Sequence, residues 1–212
     1  MSQYTSRVDI CQAAAMKIGS QTITSIENPK TVTESRLSFL FDKVKRTVIR
    51  AGVWNFAQAI LTLPSVSEDV PDGFTKVFAL PNDYLRYIGV IQNGFLVVQD
   101  TEDYMLAGGK IYQRNYASDS LTIKYLRDVS DVKKFDDLFI EALVLKLAYE
   151  LCFIESQKSA LTKRLLEEYT LKMVEAKAIN GQEQKPRRVQ RSRWGAARRS
   201  VSNSSASMPW RE

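Results

Sequence analysis

The residue types that could carry chemistry here are two cysteines, Cys11 and Cys152, and the carboxylate pairs Asp136-Asp137 and Glu167-Glu168. Nucleophilic or acid–base work would need one of them beside a base, and the chain contains no histidine at all. That removes the commonest general base, the Ser-His and Cys-His couples, and the commonest metal ligand. Two cysteines without histidine cannot complete an ordinary structural zinc site, and each sits in an apolar stretch that suits a small core residue. Neighbouring carboxylates on a helix point to different parts of its surface, so each pair reads as a solvated face. Gly108-Gly109 reads as a turn and not as a phosphate loop. The expectation is a protein that is not an enzyme, with no cofactor and no metal.

A different chemistry collects at the C-terminal end. Residues 181–212 hold eight basic and two acidic residues out of 30 and 24 in the chain, which leaves 22 of each sign in residues 1–180. The whole excess of +6 therefore lies in the last 32 residues. Arg187, Arg188, Arg191, Arg193, Arg198 and Arg199 are interleaved with Trp194 and, further on, Trp210. Guanidinium groups pair bidentately with carboxylates or phosphates, and indole rings fill apolar pockets or stack on bases. With almost no aliphatic content the segment cannot offset its own ordering entropy, and reads as an extended arm of on the order of 100 Å.

The elements that would carry this arm follow from periodicity and turn chemistry. Ser6 or Thr5 caps a first helix to about Ile18, with Gly19 as its stop. A second helix runs from Thr31 or Thr33 to about Val53 on a stripe of Leu37, Leu40, Phe41, Val44, Val48 and Ala51. Lys43, Lys45, Arg46 and Arg50 lie mostly off that stripe and read as its wet face. Short β-rich segments follow at 56–63, 76–80, 84–91, 95–98, 110–113 and 121–126, broken by Pro71-Asp72-Gly73, Pro81-Asn82-Asp83, Asn93-Gly94 and Gly108-Gly109. A third helix from Asp136 to Phe153 is apolar nearly all round and should be the most buried. A fourth runs from Ser159 to Ala178, packs through Leu161, Leu165, Tyr169 and Met173, and stops at Asn180-Gly181. The fold class expected is α+β, mainly α. It is an antiparallel bundle of about four helices with a small antiparallel β-subdomain between the second and third, and an extended C-terminal arm. The divisions are 1–55 and 128–180 for the bundle, 56–127 for the β-subdomain and 181–212 for the arm. No apolar run reaches the ~20 residues that span a bilayer, and the N-terminus lacks a signal-peptide pattern. Assembly in a cytoplasm, away from membranes, is expected.

Several strings, in order, resemble the tail tubular protein A family, the head-to-tail adaptors of short-tailed bacteriophages. Trp54-Asn55-Phe56-Ala57 closes a long basic helix. Phe78-Ala79-Leu80-Pro81-Asn82-Asp83-Tyr84-Leu85-Arg86 is similar to the family's aromatic-x-Leu-Pro-x-Asp-x-Leu-Arg. Phe135 to Leu143 and then Leu147-Ala148-Tyr149-Glu150-Leu151 form a third match, and Tyr169 with Ala176 a fourth. Arg193-Trp194-Gly195-Ala196-Ala197-Arg198 is similar to the family's Ser-Trp-x-x-Ala-Arg ending, with Arg193 in place of Ser and denser arginines. Together the strings cover nearly the whole chain.

The resemblance implies a structural virion protein: a ring of identical subunits, a dodecamer in that family, between the portal protein and the tail nozzle protein. Genomic DNA would pass through its channel. It further implies that the arm, through Arg187, Arg188, Arg191, Arg193, Trp194, Arg198, Arg199 and Trp210, grips the portal. The residues of the body motifs have plainer readings of their own. Trp54 and Phe56, flanking Asn55, read as core at the helix-to-sheet junction. Leu80, Pro81 and Asp83 read as a turn, followed by Leu85 and by an Arg86 able to pair with an acidic neighbour. An alternative from another class also stands: a nucleic-acid-binding module whose Arg-rich tail neutralises phosphates.

Overall fold

The Ser6 hydroxyl accepts the Asp9 N–H (3.2 Å) while the Asp9 carboxylate accepts the Ser6 N–H (2.9 Å). This reciprocal cap starts helix α1, Arg7–Ile18, and Gly19 ends it in the left-handed region at φ 71°. The computed structural model describes residues 4–92, 94–97, 103–114, 119–155 and 159–183. Thr31 and Glu34 repeat the cap at helix α2, Val32–Ala51. Asp136 Oδ1 accepts the N–H groups of Leu138 and Phe139 (2.9 and 3.2 Å) and opens helix α3, Asp137–Glu155. Helix α4 is Ser159–Glu183.

Glu34 does more than cap. It is 1% exposed, and its carboxylate accepts the N–H groups of Thr24, Ser25, Lys30 and Thr31 and the Thr24 hydroxyl, at 2.7–3.3 Å. One side chain thus folds the α1–α2 loop onto itself. Those donors, the Thr24 and Lys30 N–H groups first, hold its carboxyl far below its ordinary value of 4.5. A depressed carboxyl contributes stability above the unfolded value and loses it as pH falls through the folded one. Glu34→Gln should therefore lower the melting temperature by several degrees at pH 7. The gap to the parent chain should narrow as pH drops below 4.5, read from melting curves at stepped pH.

The long apolar character of α3 is met by burial on nearly every side, from Phe139 through Ala142, Leu143 and Leu147 to Cys152. Its last turn departs from the expectation, since Phe153 is 66% exposed. The stripe of α4 packs inward at Leu165, Met173 and Ala176. That helix does not stop at Asn180-Gly181 but continues to Glu183.

Among the described residues, two short 3-10 turns, Asn55–Ala57 and Val132–Lys134, and seven strands lie between α2 and α3: β1 Gln58–Pro64, β2 Lys76–Ala79, β3 Tyr84–Gln92, β4 Phe95–Val97, β5 Tyr104–Ala107, β6 Lys110–Gln113 and β7 Ser120–Arg127. The sequence reading lacks β5. Gly108 and Gly109, both at positive φ, make the tight turn that joins it to β6. The strands form two antiparallel sheets, ordered β1-β7-β3-β4 and β2-β6-β5. Leu63, Val90, Leu121, Ile123 and Tyr125 of the first close a small core with Phe78 and Ile111 of the second. Ile88 and Leu126 instead join the large core built by the helices.

The fold is α+β, with four helices and two small antiparallel sheets among the described residues. Residues 1–181 make one compact unit, and the second unit, 182–212, is described only at its first two residues, where α4 ends. Among the described residues no helix is long and apolar enough to cross a membrane.

Candidate functional site

The body motifs singled out in the sequence meet where the helices hand over to the sheets. Trp54 is 1% exposed and its indole N–H donates to the Val48 carbonyl at 3.0 Å, folding back over the last turns of α2. Gly52 makes that return possible, because a Cβ there would lie 2.8 Å from the indole ring. The Trp54 ring meets Phe139 edge-on at 5.1 Å, and Phe56 packs on Phe135 and Phe139 at 5.4 and 4.8 Å. Such edge-to-face clusters add to simple burial. The core reading of Trp54 and Phe56 is what the structure has.

Asn55 has a partner that sequence reasoning missed. The Asn180 side chain accepts the Asn55 N–H (2.9 Å) and donates to the Val53 carbonyl (2.6 Å), while the Asn55 side chain donates to the Asn180 carbonyl (3.4 Å). The end of α4 is thereby stitched to the end of α2. Only the unsuitability of Asn for a helix interior hints at it, and in the sequence Asn180-Gly181 reads as a helix stop.

Leu80, Pro81 and Asp83 form the expected turn, closed by the Tyr84 N–H to the Pro81 carbonyl (3.0 Å). Asp83 is tied down twice: its carboxylate accepts the Tyr125 hydroxyl (3.0 Å) and its carbonyl the Asp128 N–H (2.7 Å). Leu85 packs against the large core. Arg86 corrects the expectation of an acidic partner. Its guanidinium donates to the Arg50 carbonyl at 2.9 Å, satisfying one of the orphan carbonyls at the end of α2.

Lys45 is a second correction. Its place in the sequence reads as the wet face of α2, yet only 2% of its side chain is exposed. Its ammonium pairs with Asp128 at 2.8 Å and Asp42 at 3.2 Å. Asp128 also takes the Arg46 Nε at 2.7 Å, and Asp42 the Arg7 guanidinium at 2.5 Å. Five charges thus run in a chain from α1 across α2 to the exit of β7. Burial pushes the Asp42 carboxyl up, but Lys45 and Arg7 outweigh it and hold it below the usual carboxylate range.

The remaining candidates take structural places. Cys11 and Cys152 are buried thiols that form no disulfide, and burial pushes the Cys11 thiol up to about 12. Asp136 caps α3, and Glu168 pairs with Arg164 one turn away at 2.8 Å. Among the described residues no cluster of acidic and thiol side chains could hold a metal ion. The arm residues Arg187, Arg188, Arg191, Arg193, Trp194, Arg198, Arg199 and Trp210 lie outside the described residues. What the motif residues assemble is a rigid joint: α2, α4, the loop before β3 and the exit of β7 are pinned to one another by buried aromatic packing, backbone caps and a buried ion pair. Such a joint fixes the geometry of the parts it links. No protein-family model matches the chain, and no curated protein matches it in sequence.

Proposed function

We propose that this chain is a structural virion protein, a head-to-tail adaptor that forms a ring under a portal, joins it to the tail nozzle and continues the DNA channel. The observation that carries the reading is the division of the chain into a charge-balanced body and an arm holding the whole +6. A balanced body lets many copies pack closely without mutual repulsion. A separate basic arm can order itself on a partner's carboxylates, and many arms in one ring add up by avidity. The joint described above supports the same reading, because a ring closes only if every subunit holds the same angle between its parts. In this reading the virion head–tail junction is where the protein resides, and no catalysis is required of it.

The test is attachment to portal rings, followed by negative-stain imaging. Deleting 184–212 leaves α4 whole, so the truncated chain should keep its helical signal and melting temperature. It should lose portal attachment by at least about 100-fold. Undiminished attachment would overturn the role given to the arm. The nucleic-acid reading is favoured by the same tryptophan-interleaved arginines. It predicts salt-dependent binding of short duplex DNA by the full chain, with no decoration of portal rings.

A further inference from the structure

Asn180 and Gly181 form an Asn-Gly pair, the sequence in which a side-chain amide is lost most readily without an enzyme. The glycine backbone nitrogen attacks the Asn Cγ and closes a cyclic succinimide. Ammonia leaves, carrying the proton that the attacking nitrogen gives up. Water then opens the ring at either carbonyl, leaving Asp or, with an extra main-chain carbon, isoAsp. Glycine favours the attack because it has no side chain to obstruct the approach. Gly181 is exposed, and nothing lies within 4 Å of the place a Cβ would take. Attacking nitrogen and water are both at hand.

The fold nevertheless holds the amide out of reaction. Both residues lie inside α4, and a helical ψ of about −42° turns the next nitrogen away from Cγ. The amide is also held at both ends. Its oxygen accepts the Asn55 N–H at 2.9 Å, and its nitrogen donates to the Val53 carbonyl at 2.6 Å. That nitrogen is the leaving group, so the bond that holds it must break before ammonia can depart. The Asn55 side chain adds a third bond, to the Asn180 carbonyl at 3.4 Å. Reaction therefore waits for the last turn of α4 to open, and helix ends are where opening costs least.

We infer that Asn180-Gly181 is a modification site: the stitch to Val53 and Asn55 keeps the amide unreacted, and it deamidates when the end of α4 opens. The change runs one way. Asp and isoAsp both lack the N–H that the Val53 carbonyl accepts, and both set a carboxylate where that donor stood. A new negative charge near the end of a helix also opposes its dipole. The full stitch cannot be remade, so α4 stays loosened from the end of α2. None of this depends on a ring or on the arm.

The test incubates the full chain at mildly alkaline pH, folded or in concentrated urea, and follows amide-to-acid conversion at Asn180 by peptide mass spectrometry. The folded chain should react at least about 10-fold more slowly, the mark of a site that reacts only when opened. Asn55→Pro removes two of the three bonds, the backbone donor and the side-chain donor. Proline suits the place, because Trp54 before it is extended (φ −74°, ψ 131°) and Asn55 opens a 3-10 turn. Once circular dichroism shows it folded, that variant should react roughly 3- to 10-fold faster than the parent. If proline unfolds the chain, Asn55→Ala replaces it, losing one bond and gaining about twofold in rate. Equal rates in the folded and unfolded parent would overturn the protected site altogether. A folded variant that reacts no faster than the parent would overturn the part given to the stitch.

Discussion

Replacing Trp54 by alanine is expected to destabilise the body by about 3–5 kcal/mol, the range for deleting a large buried aromatic. Three losses combine. The side chain is 1% exposed, its edge-on contact with Phe139 disappears, and the Val48 carbonyl loses the indole N–H. In a chain of this size each kcal/mol lowers the melting temperature by roughly 2–4 °C, so a fall of about 10 °C should be seen by calorimetry. Trp54→Phe separates the contributions. It keeps an aromatic ring against Phe139 and removes the donor, and should recover at least half of the loss. If alanine cost less than about 1 kcal/mol, the joint would not be the keystone described here.

Asp128→Ala carries the second large expected effect, about 3 kcal/mol in denaturant unfolding. The cause is less the lost attraction than the stranded partner. Lys45 would stay 2% exposed with only Asp42, at 3.2 Å, to balance it. Following this with Lys45→Met on the same chain should restore most of the stability, because a buried ion pair and a well-packed apolar substitute are often close in free energy. The double-mutant cycle would then return a coupling well above the few tenths of a kcal/mol typical of exposed pairs. Arg46, whose side chain is 60% exposed, should show only that small coupling to Asp128.

Local signals were the ones readable in advance. Ser6 stood among two candidate caps for α1 and Thr31 among two starts for α2, Gly19 announced a stop, and the unbroken apolar run of α3 announced its burial. Each depends on residues within a turn or two of one another. Lys45 sits beside the apolar stripe, four residues after Phe41 and three before Val48, but its ammonium argued for solvent; the carboxylate that makes its burial tolerable, Asp128, arrives from just beyond β7. Asn180 was misread for the same reason, its partners lying at Val53 and Asn55. Strand β5, Tyr-Met-Leu-Ala, lacks the alternation and β-branched residues that mark strands, and it exists because Gly108-Gly109 folds it onto β6. The split into two sheets was beyond reach of periodicity, which says which face is apolar and not which strand lies alongside. Of the candidate site, the body motifs were legible as a helix-to-sheet junction and a turn, while the hydrogen bonds that make them one joint were not.

The stitching of α4 at Asn180 has a mechanical consequence. As a rod of 25 residues, α4 is about 37 Å long. A tug on the chain beyond Glu183 enters that rod at its end, close to Asn180, which holds hydrogen bonds to Val53 and Asn55. Through Asn180, tension reaches Val53 and Asn55, beside Trp54. Three hydrogen bonds and an aromatic cluster meet at that point. Asn180→Ala should leave equilibrium stability nearly intact and lower the unfolding force when the molecule is pulled from its C-terminal end.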